Sequence, residues 1–205
     1  PLLVLAAFPV VLMGWASCSH SGTGHAALPD PRAVDKSVPE YKNPFHPSTY
    51  AHFVARKDYR KTYDVYKDDT LLNRQPKKSR KIFVCLDEQR GQYLVDGLVA
   101  MDFPLSSGVK AYPTKTGDYA VISKKEDHAS NLYGKMYDAE GKCINYNAES
   151  TDPIPEGGRF DGSPMPYWQR LTNAGLGLHV GKVRRHPVSH GCVRLPRNVA
   201  EILYR

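Results

Sequence analysis

A cysteine and three histidines gather near the end of this chain. The run Leu178-His179-Val180-Gly181 leads into a basic loop and then into Ser189-His190-Gly191-Cys192-Val193-Arg194-Leu195-Pro196. A thiol attacks carbonyls as its thiolate, and a free cysteine at neutral pH is mostly protonated. A nearby imidazole removes that limit by taking the proton. Gly191, just before Cys192, lets the backbone bend sharply, so that the N–H groups of Gly191 and Cys192 can face a developing oxyanion. Nucleophile, base and oxyanion donors are therefore offered together. Three histidines compete as base. His190 stands two positions before Cys192, at strained range. His186 sits in a loop with Arg184, Arg185 and Pro187, where a solvated role is the plain reading. His179 ends an apolar stretch that can lie beside the cysteine segment as a strand. Arg194 suits a substrate carboxylate or a structural ion pair equally. His179, His186, His190 and Cys192 are a legal zinc set by type, but their spacing fits no common zinc motif. Neither metal nor cofactor is assigned.

These residues resemble a known signature. A histidine, a spacer, then Ser-His-Gly-Cys, an apolar residue and Arg is similar to the motif of the L,D-transpeptidases, the YkuD-domain family, which cross-link bacterial peptidoglycan with a cysteine nucleophile. Two further stretches carry the resemblance. Pro104-Leu105-Ser106-Ser107-Gly108 followed by Tyr112-Pro113-Thr114-Lys115-Thr116-Gly117 is similar to the family's Ser-x-Gly and Pro-Thr-Pro-x-Gly segments, with Lys115 in place of the second Pro. Ser163 to Leu171, with Met165-Pro166-Tyr167-Trp168, resembles one branch of the family and would line the cleft or plug the core. The resemblance spans Lys81 to Arg205. It implies Cys192 as nucleophile, His179 as base with its ring oriented by a backbone carbonyl, and His190, Gly191, Ser189 and Arg194 around the oxyanion and substrate. It implies an acyl transfer that releases D-Ala from a peptidoglycan stem peptide through a thioester, and acylation by carbapenems. The acceptor is a stem-peptide amine, an anchored wall protein or water. A non-catalytic wall-binding lipoprotein is the rival of another class, against which an intact Cys192 and His179 argue.

The elements that must position this site read as mainly β, a sandwich-like or barrel-like catalytic domain with a few short helices. Ile82-Phe83-Val84-Cys85-Leu86 and Gln92-Tyr93-Leu94-Val95 are strands, and Asp96-Gly97 is a hairpin turn before a third strand at Leu98–Phe103. Residues 124–158 are polar and irregular, with one strand near Asn131–Tyr137, and are expected to overhang the cleft. Gly175 to Val180 reads as the strand that delivers His179. Pro196 opens a helix whose apolar face is Val199, Ile202 and Leu203. The resemblance expects one more strand after this helix, so the C-terminus reads as clipped.

The front of the chain reads differently. Leu2 to Met13 is almost wholly apolar, shorter than the roughly 20 residues of a membrane span, and fits the core of a signal peptide with its charged start missing. Ala16-Ser17-Cys18 resembles a lipobox, although Trp15 stands where Leu is usual. Lipidation on Cys18, ordinary cleavage and an uncleaved anchor all place the mature protein outside the cytoplasm, in the periplasm or cell envelope. Three units follow: residues 1–18 as leader, 19–78 as linker with a short helix near Ser48–Leu72, and 79–205 as catalytic domain. The tyrosines at 50, 59, 63 and 66 read as packing rather than as a ligand stripe. Of the other cysteines, Cys85 reads as a buried hydrophobe and Cys143 as an ordinary loop thiol; pairing of the two is the alternative in an oxidising compartment. The net charge of +7 comes from scattered basic residues with no nucleic-acid motif, which excludes nucleic acid as partner and leaves general solubility or attraction to a polyanionic wall.

Overall fold

The protein is described here from a computed structural model, which covers residues 10–14 (backbone only), 30–37, 39–75 and 79–205. Most of the apolar leader, Cys18 and the start of the linker up to residue 29 lie outside the described residues. Along the chain come β1 (Val10–Gly14), α1 (Tyr50–Ala55), β2 (Tyr66–Lys67), α2 (Asp69–Asn73), β3 (Arg80–Cys85), β4 (Arg90–Val95) and β5 (Leu98–Pro104). Then follow β6 (Gly117–Ala120), β7 (Ser123–Lys125), β8 (Ala129–Tyr137), β9 (Cys143–Glu149), β10 (Arg159–Pro164), β11 (Trp168–Arg170), β12 (Gly177–Val180), β13 (Val193–Leu195) and α3 (Arg197–Tyr204).

Three sheets result, in the orders β2-β5-β4-β3-β1-β6, β10-β8-β9 and β13-β12-β11-β7. The first and third enclose one core. Ile82, Val84, Val95, Met101 and Phe103 from the first sheet, with Leu105 just after β5, meet Leu178, Val193 and Leu195 from the third, and α3 adds Val199, Ala200 and Leu203. Burial of such side chains from water is the main force holding the layers. The fold is thus mainly β and sandwich-like. Local chemistry sets the turns: Asp96 and Gly97 both take positive φ (51° and 81°), which the two-residue hairpin between β4 and β5 requires.

The segment before the catalytic domain is partly structured. Thr49 caps α1 by accepting the His52 N–H (3.1 Å), and β2 joins the first sheet beside β5. Phe53, Val54 and Tyr59 form a small second core with Tyr50 and Tyr66 packed on it, whereas Tyr63, read as packing with them, is exposed. Residues 50–73, inside the stretch read as linker, therefore lie on the domain. Val10–Gly14, inside the stretch read as leader, run as a strand between β3 and β6. Cys85 is buried at the end of β3 and is disulfide-bonded. It is not the free buried thiol that its apolar strand suggests. Cys143 is free, so the alternative Cys85–Cys143 pairing does not form.

The polar stretch 124–158 holds more strand than its sequence suggests. Most of it, with 159–164, builds the β10-β8-β9 sheet, whose long strand β8 carries Tyr133 to the mouth of the cleft. Only Gly134, Met136 and Ala148 of β8 and β9 are buried, so the alternation that marks a half-buried strand is confined to a few positions.

Candidate active site

The site is built on β11, β12 and β13. In the parallel β12–β13 pair, Leu178 lies opposite Val193 and His179 opposite Arg194. Leu178 and Val193 are fully buried in the core. Side chains alternate along a strand, so Gly177, His179, Cys192 and Arg194 share the opposite face. One step back in register, Cys192 stands across from Gly177 and diagonal to His179. In the antiparallel β11, Gln169 pairs with Leu178, which puts Trp168 and Arg170 on the same face as the thiol. The long spacing between His179 and Cys192 is therefore the length of a crossover loop between two adjacent parallel strands.

His179 is 6% exposed. Its Nδ1 lies 2.8 Å from the Val180 carbonyl oxygen. A carbonyl only accepts, so Nδ1 carries the proton and Nε2 keeps its lone pair. Burial is the main cause that pushes the His179 pKa down to about 4, helped by Arg194 and His128 and opposed by the Val180 bond. Burial likewise raises the Cys192 pKa, against a backbone hydrogen bond from Gly177 and the charge of Arg194. The thiol also donates to the Gly175 carbonyl at 3.3 Å. At neutral pH the two groups rest as thiol and imidazole, not as thiolate and imidazolium. Proton transfer must then accompany attack rather than precede it.

Trp168 fixes the floor of this face. A side chain at Gly177 would meet its indole at 2.5 Å, so only glycine leaves room for the ring. The indole stands 5.9 Å from the His179 ring and 5.0 Å from that of His128, and its buried Nε1 has no hydrogen-bond partner among the described residues.

The turn that carries Cys192 is tied tightly. Gly191 has φ +112°, a conformation an L side chain rarely adopts. Ser189 Oγ donates to the Cys192 carbonyl at 2.5 Å and accepts the Gly191 N–H at 3.2 Å. Thr114 Oγ1 donates to the Gly191 carbonyl (2.6 Å) and accepts the Gly108 N–H (2.8 Å). Two assignments change as a result. Ser189 is committed to the turn rather than to substrate, and the Gly191 N–H is occupied. The Cys192 N–H is the donor left for an oxyanion, since it makes no hydrogen bond among the described residues. His190 is exposed and lies between two rings, stacked on Tyr133 (4.2 Å) and tilted against Tyr112 (4.7 Å). It forms a wall of the cleft mouth.

The loop between His179 and Ser189 is strapped to the first sheet. Ser106 Oγ accepts the N–H groups of Arg184 and Arg185, and the Ser107 carbonyl accepts those of Val188 and Ser189. The Arg185 guanidinium donates to the Thr62 and Glu88 carbonyls. Its neighbour His186 is exposed and touches only the Pro187 carbonyl (3.3 Å), in keeping with a solvated loop residue. Sequence reasoning passed over Tyr112, Tyr133, Thr114, His128 and Arg170. Tyr112 and Thr114 had a signal in the Pro-Thr segment, Arg170 in the 163–171 run, and His128 and Tyr133 in the stretch expected to overhang the cleft, but only the tertiary fold brings the individual side chains together here.

A cleft of about 520 Å³ opens over this face, lined by Cys192, His179, Trp168 and the strands of the overhanging sheet. Among the described residues, no group of three or more His, Cys, Asp or Glu is placed to hold a metal.

Residues 79–205, more than half of the chain, match the family model of the L,D-transpeptidase catalytic domain, YkuD. The chain belongs to that family. Among solved structures it is similar to an L,D-transpeptidase from Mycobacterium smegmatis (22% identity, TM-score 0.43, 58% of this chain and 50% of that one). It is also similar to one from Stackebrandtia nassauensis (24%, 0.43, 64% and 52%), and to the catalytic domain of the Enterococcus faecium L,D-transpeptidase (27%, 0.43, 62% and 88%). The chain spans about half the length of the first two. No curated relative matches it.

Proposed function

We propose that this chain is an exported L,D-transpeptidase in which Cys192 is the nucleophile and His179 the general base. The observation that carries the reading is the shared face of β12 and β13, which sets thiol and imidazole diagonal to each other with Nδ1 held by Val180. As Cys192 Sγ attacks the carbonyl of the third stem-peptide residue, its proton passes to His179 Nε2. The tetrahedral oxyanion receives the Cys192 N–H. Collapse breaks the bond to the terminal D-Ala, whose nitrogen takes the proton back from the imidazolium, and a thioester remains. An amine of a second stem peptide, an amine of a wall protein, or water then attacks the thioester, losing its proton to His179. No cofactor enters any step.

The test is release of D-Ala from a disaccharide-tetrapeptide, run beside intact mass after incubation with a carbapenem. Wild type should release D-Ala and gain one acyl adduct, and Cys192→Ala should do neither. A wild-type chain that keeps its mass and releases nothing would overturn the catalytic reading in favour of wall binding.

Export rests on the apolar Leu2 to Met13 run, and a lipid anchor on Cys18. Labelled palmitate should enter the wild type and not Cys18→Ala; unlabelled wild type defeats the anchor.

A further inference from the structure

The turn before Cys192 is built on soft backbone. Gly191 takes φ +112°, and a glycine reaches such values at little steric cost. The peptide unit joining Gly191 to Cys192 can therefore swing with no side chain on Gly191 to oppose it. That unit carries the donor left for an oxyanion. A peptide is planar and trans, so its C=O and N–H point in opposite directions. Wherever the Gly191 carbonyl is held, the Cys192 N–H is aimed the other way. The field there is already positive, since Arg194 is half-buried on the same face with no acidic partner among the described residues. What a developing oxyanion still needs is a donor fixed in direction.

One side chain supplies that direction, from 77 positions earlier in the chain: Thr114 Oγ1 lies 2.6 Å from the Gly191 oxygen. A second bond sets its sense. The Gly108 N–H donates to the same Oγ1 at 2.8 Å. A hydroxyl has one proton and a carbonyl only accepts, so the Thr114 proton lies on the Gly191 oxygen. The series Gly108 N–H, Thr114 O–H, Gly191 C=O, Cys192 N–H then runs in a single sense. Each link polarises the next, a strengthening of roughly 10–30% per bond, and the last link is the unoccupied donor. Thr114 is 5% exposed, and its branched Cβ restricts the side chain to few rotamers. Gly108 is bridged to Ser189, and a side chain on it would meet Gly191 Cα at 2.8 Å, so only glycine lets this segment back the turn so closely. Ser189 Oγ meanwhile holds the peptide units on either side, through the Gly191 N–H and the Cys192 carbonyl. The middle unit is left to Thr114.

We propose that Thr114 is a positioning residue for acylation, its hydroxyl aiming and polarising the Cys192 N–H that receives the oxyanion. The assignment rests on the reading of Cys192 as the nucleophile of an acyl transfer. Thr114 does not line the cleft over the thiol and acts only through the backbone.

Two reactions of the same thiol test it. When a carbapenem ring opens, the Sγ–C bond forms at a carbonyl, charge gathers on its oxygen, and the C–N bond then breaks. Alkylation by iodoacetamide forms an Sγ–C bond at a saturated carbon, expels iodide and builds no oxyanion. Both rates are measured on the full chain, with alkylation read at Cys192 by peptide mapping because Cys143 is also free. Removing an oxyanion donor outright costs roughly 10²–10³-fold, so Thr114→Val, which only releases one, should slow acylation roughly ten- to hundredfold and leave alkylation within about threefold of wild type. In D-Ala release the same variant should lower kcat and leave KM within about twofold. Thr114→Ser keeps the hydroxyl and should recover most of the acylation rate. If Thr114→Val yields too little folded protein, Thr114→Ala reads the same ratio of the two rates. Acylation and alkylation that fall together would make Thr114 a structural fastener and overturn the proposal. So would a Thr114→Val chain acylated at the wild-type rate, or a Thr114→Ser chain no faster than Thr114→Val. A wild type alkylated at Cys192 but never acylated would defeat the catalytic reading, and this assignment with it.

Discussion

Two polar clusters are buried in this protein, and they are built on opposite principles. Around Asp102 every group is answered. Its Oδ1 accepts Arg90 Nε at 2.6 Å, and its Oδ2 accepts the hydroxyls of Tyr50 (2.7 Å) and Tyr59 (2.8 Å). The remaining Arg90 nitrogens donate to the Thr62 and Asp64 carbonyls. Burial and the Asp102 charge push both tyrosine pKa values up, so the hydroxyls stay donors. Around Cys192 the groups are left wanting: a thiol and an imidazole neutral at rest, a half-buried arginine with no acid, and an indole N–H with no acceptor. A satisfied buried cluster joins the 50–66 segment to β4 and β5. An unsatisfied one has unfilled bonding capacity for a ligand and a transition state. Mutations should therefore separate the two cleanly, costing rate at one and stability at the other.

The largest effect belongs to the base. His179→Ala should lower the rate of acylation by a carbapenem by roughly 10²–10⁴-fold, the usual worth of a general base, while the folded fraction at assay temperature stays near wild type. Stopped-flow acylation beside a thermal melt reads both. An acylation rate within tenfold of wild type would mean that another group takes the thiol proton.

Asp102→Ala is the mirror image. Removing one partner of a buried pair strands the other charge and typically costs about 3–5 kcal/mol. Denaturant unfolding should show a loss of that size, with acylation per folded molecule little changed. A loss below about 1 kcal/mol would show that the cluster is dispensable as a fastener, and the contrast between the two sites would fail.

His179 also leaves a mark on stability through pH. Its folded pKa of about 4 lies below the ordinary 6.5, so as pH falls the unfolded chain takes up the proton first. The stabilisation from a neutral His179 is complete above about pH 6.5 and is lost between there and pH 4. Its full size is roughly 3 kcal/mol. Unfolding free energies at pH 7 and pH 4.5 should differ more in wild type than in His179→Asn. Equal slopes would place the imidazole in water and remove the neutral resting pair.

The sequence makes the reactive end of this molecule legible and leaves its surroundings opaque, for a physical reason. Cys192, His179 and Gly191 announce themselves because nucleophile, base and a positive-φ glycine are rare types in a fixed order. The β3–β5 meander is equally plain, since its strands alternate or run apolar between turn residues such as Asp96-Gly97. The walls of the cleft are not. Tyr112 and Tyr133 reach His190 from two different loops and sheets, and the pairing of Arg170 with Gly177 depends on strand register. The Asp102 cluster was hidden for the same reason. Asp102 sits in an apolar strand where a charge reads as an edge, and its partners at 50, 59, 90 and 92 converge only after folding. Few positions of the β8–β10 sheet are buried, Gly134, Met136 and Ala148 among them, so its hydrophobic period is too weak to betray it.

The finest contrast lies between neighbours in one loop. Arg185 and His186 share a basic run, and by type His186 is the better candidate for chemistry. Structure reverses that ranking. Arg185 takes φ 55° and spends its guanidinium on the Thr62 and Glu88 carbonyls, which ties the loop behind the Cys192 turn to the first sheet. His186 points into water, held by one long contact to its neighbour's carbonyl. His186→Ala should therefore leave acylation within about twofold of wild type, because an exposed side chain with no partner in the site has little to contribute. Arg185→Ala should slow acylation more than His186→Ala does, by loosening the loop that sets the register of Cys192 against Gly177, and Arg185→Lys should recover part of the loss. Measured together by stopped-flow, the three variants rank the loop by attachment rather than by residue type. A His186 variant slower than the Arg185 variant would return the base assignment to the loop and displace His179.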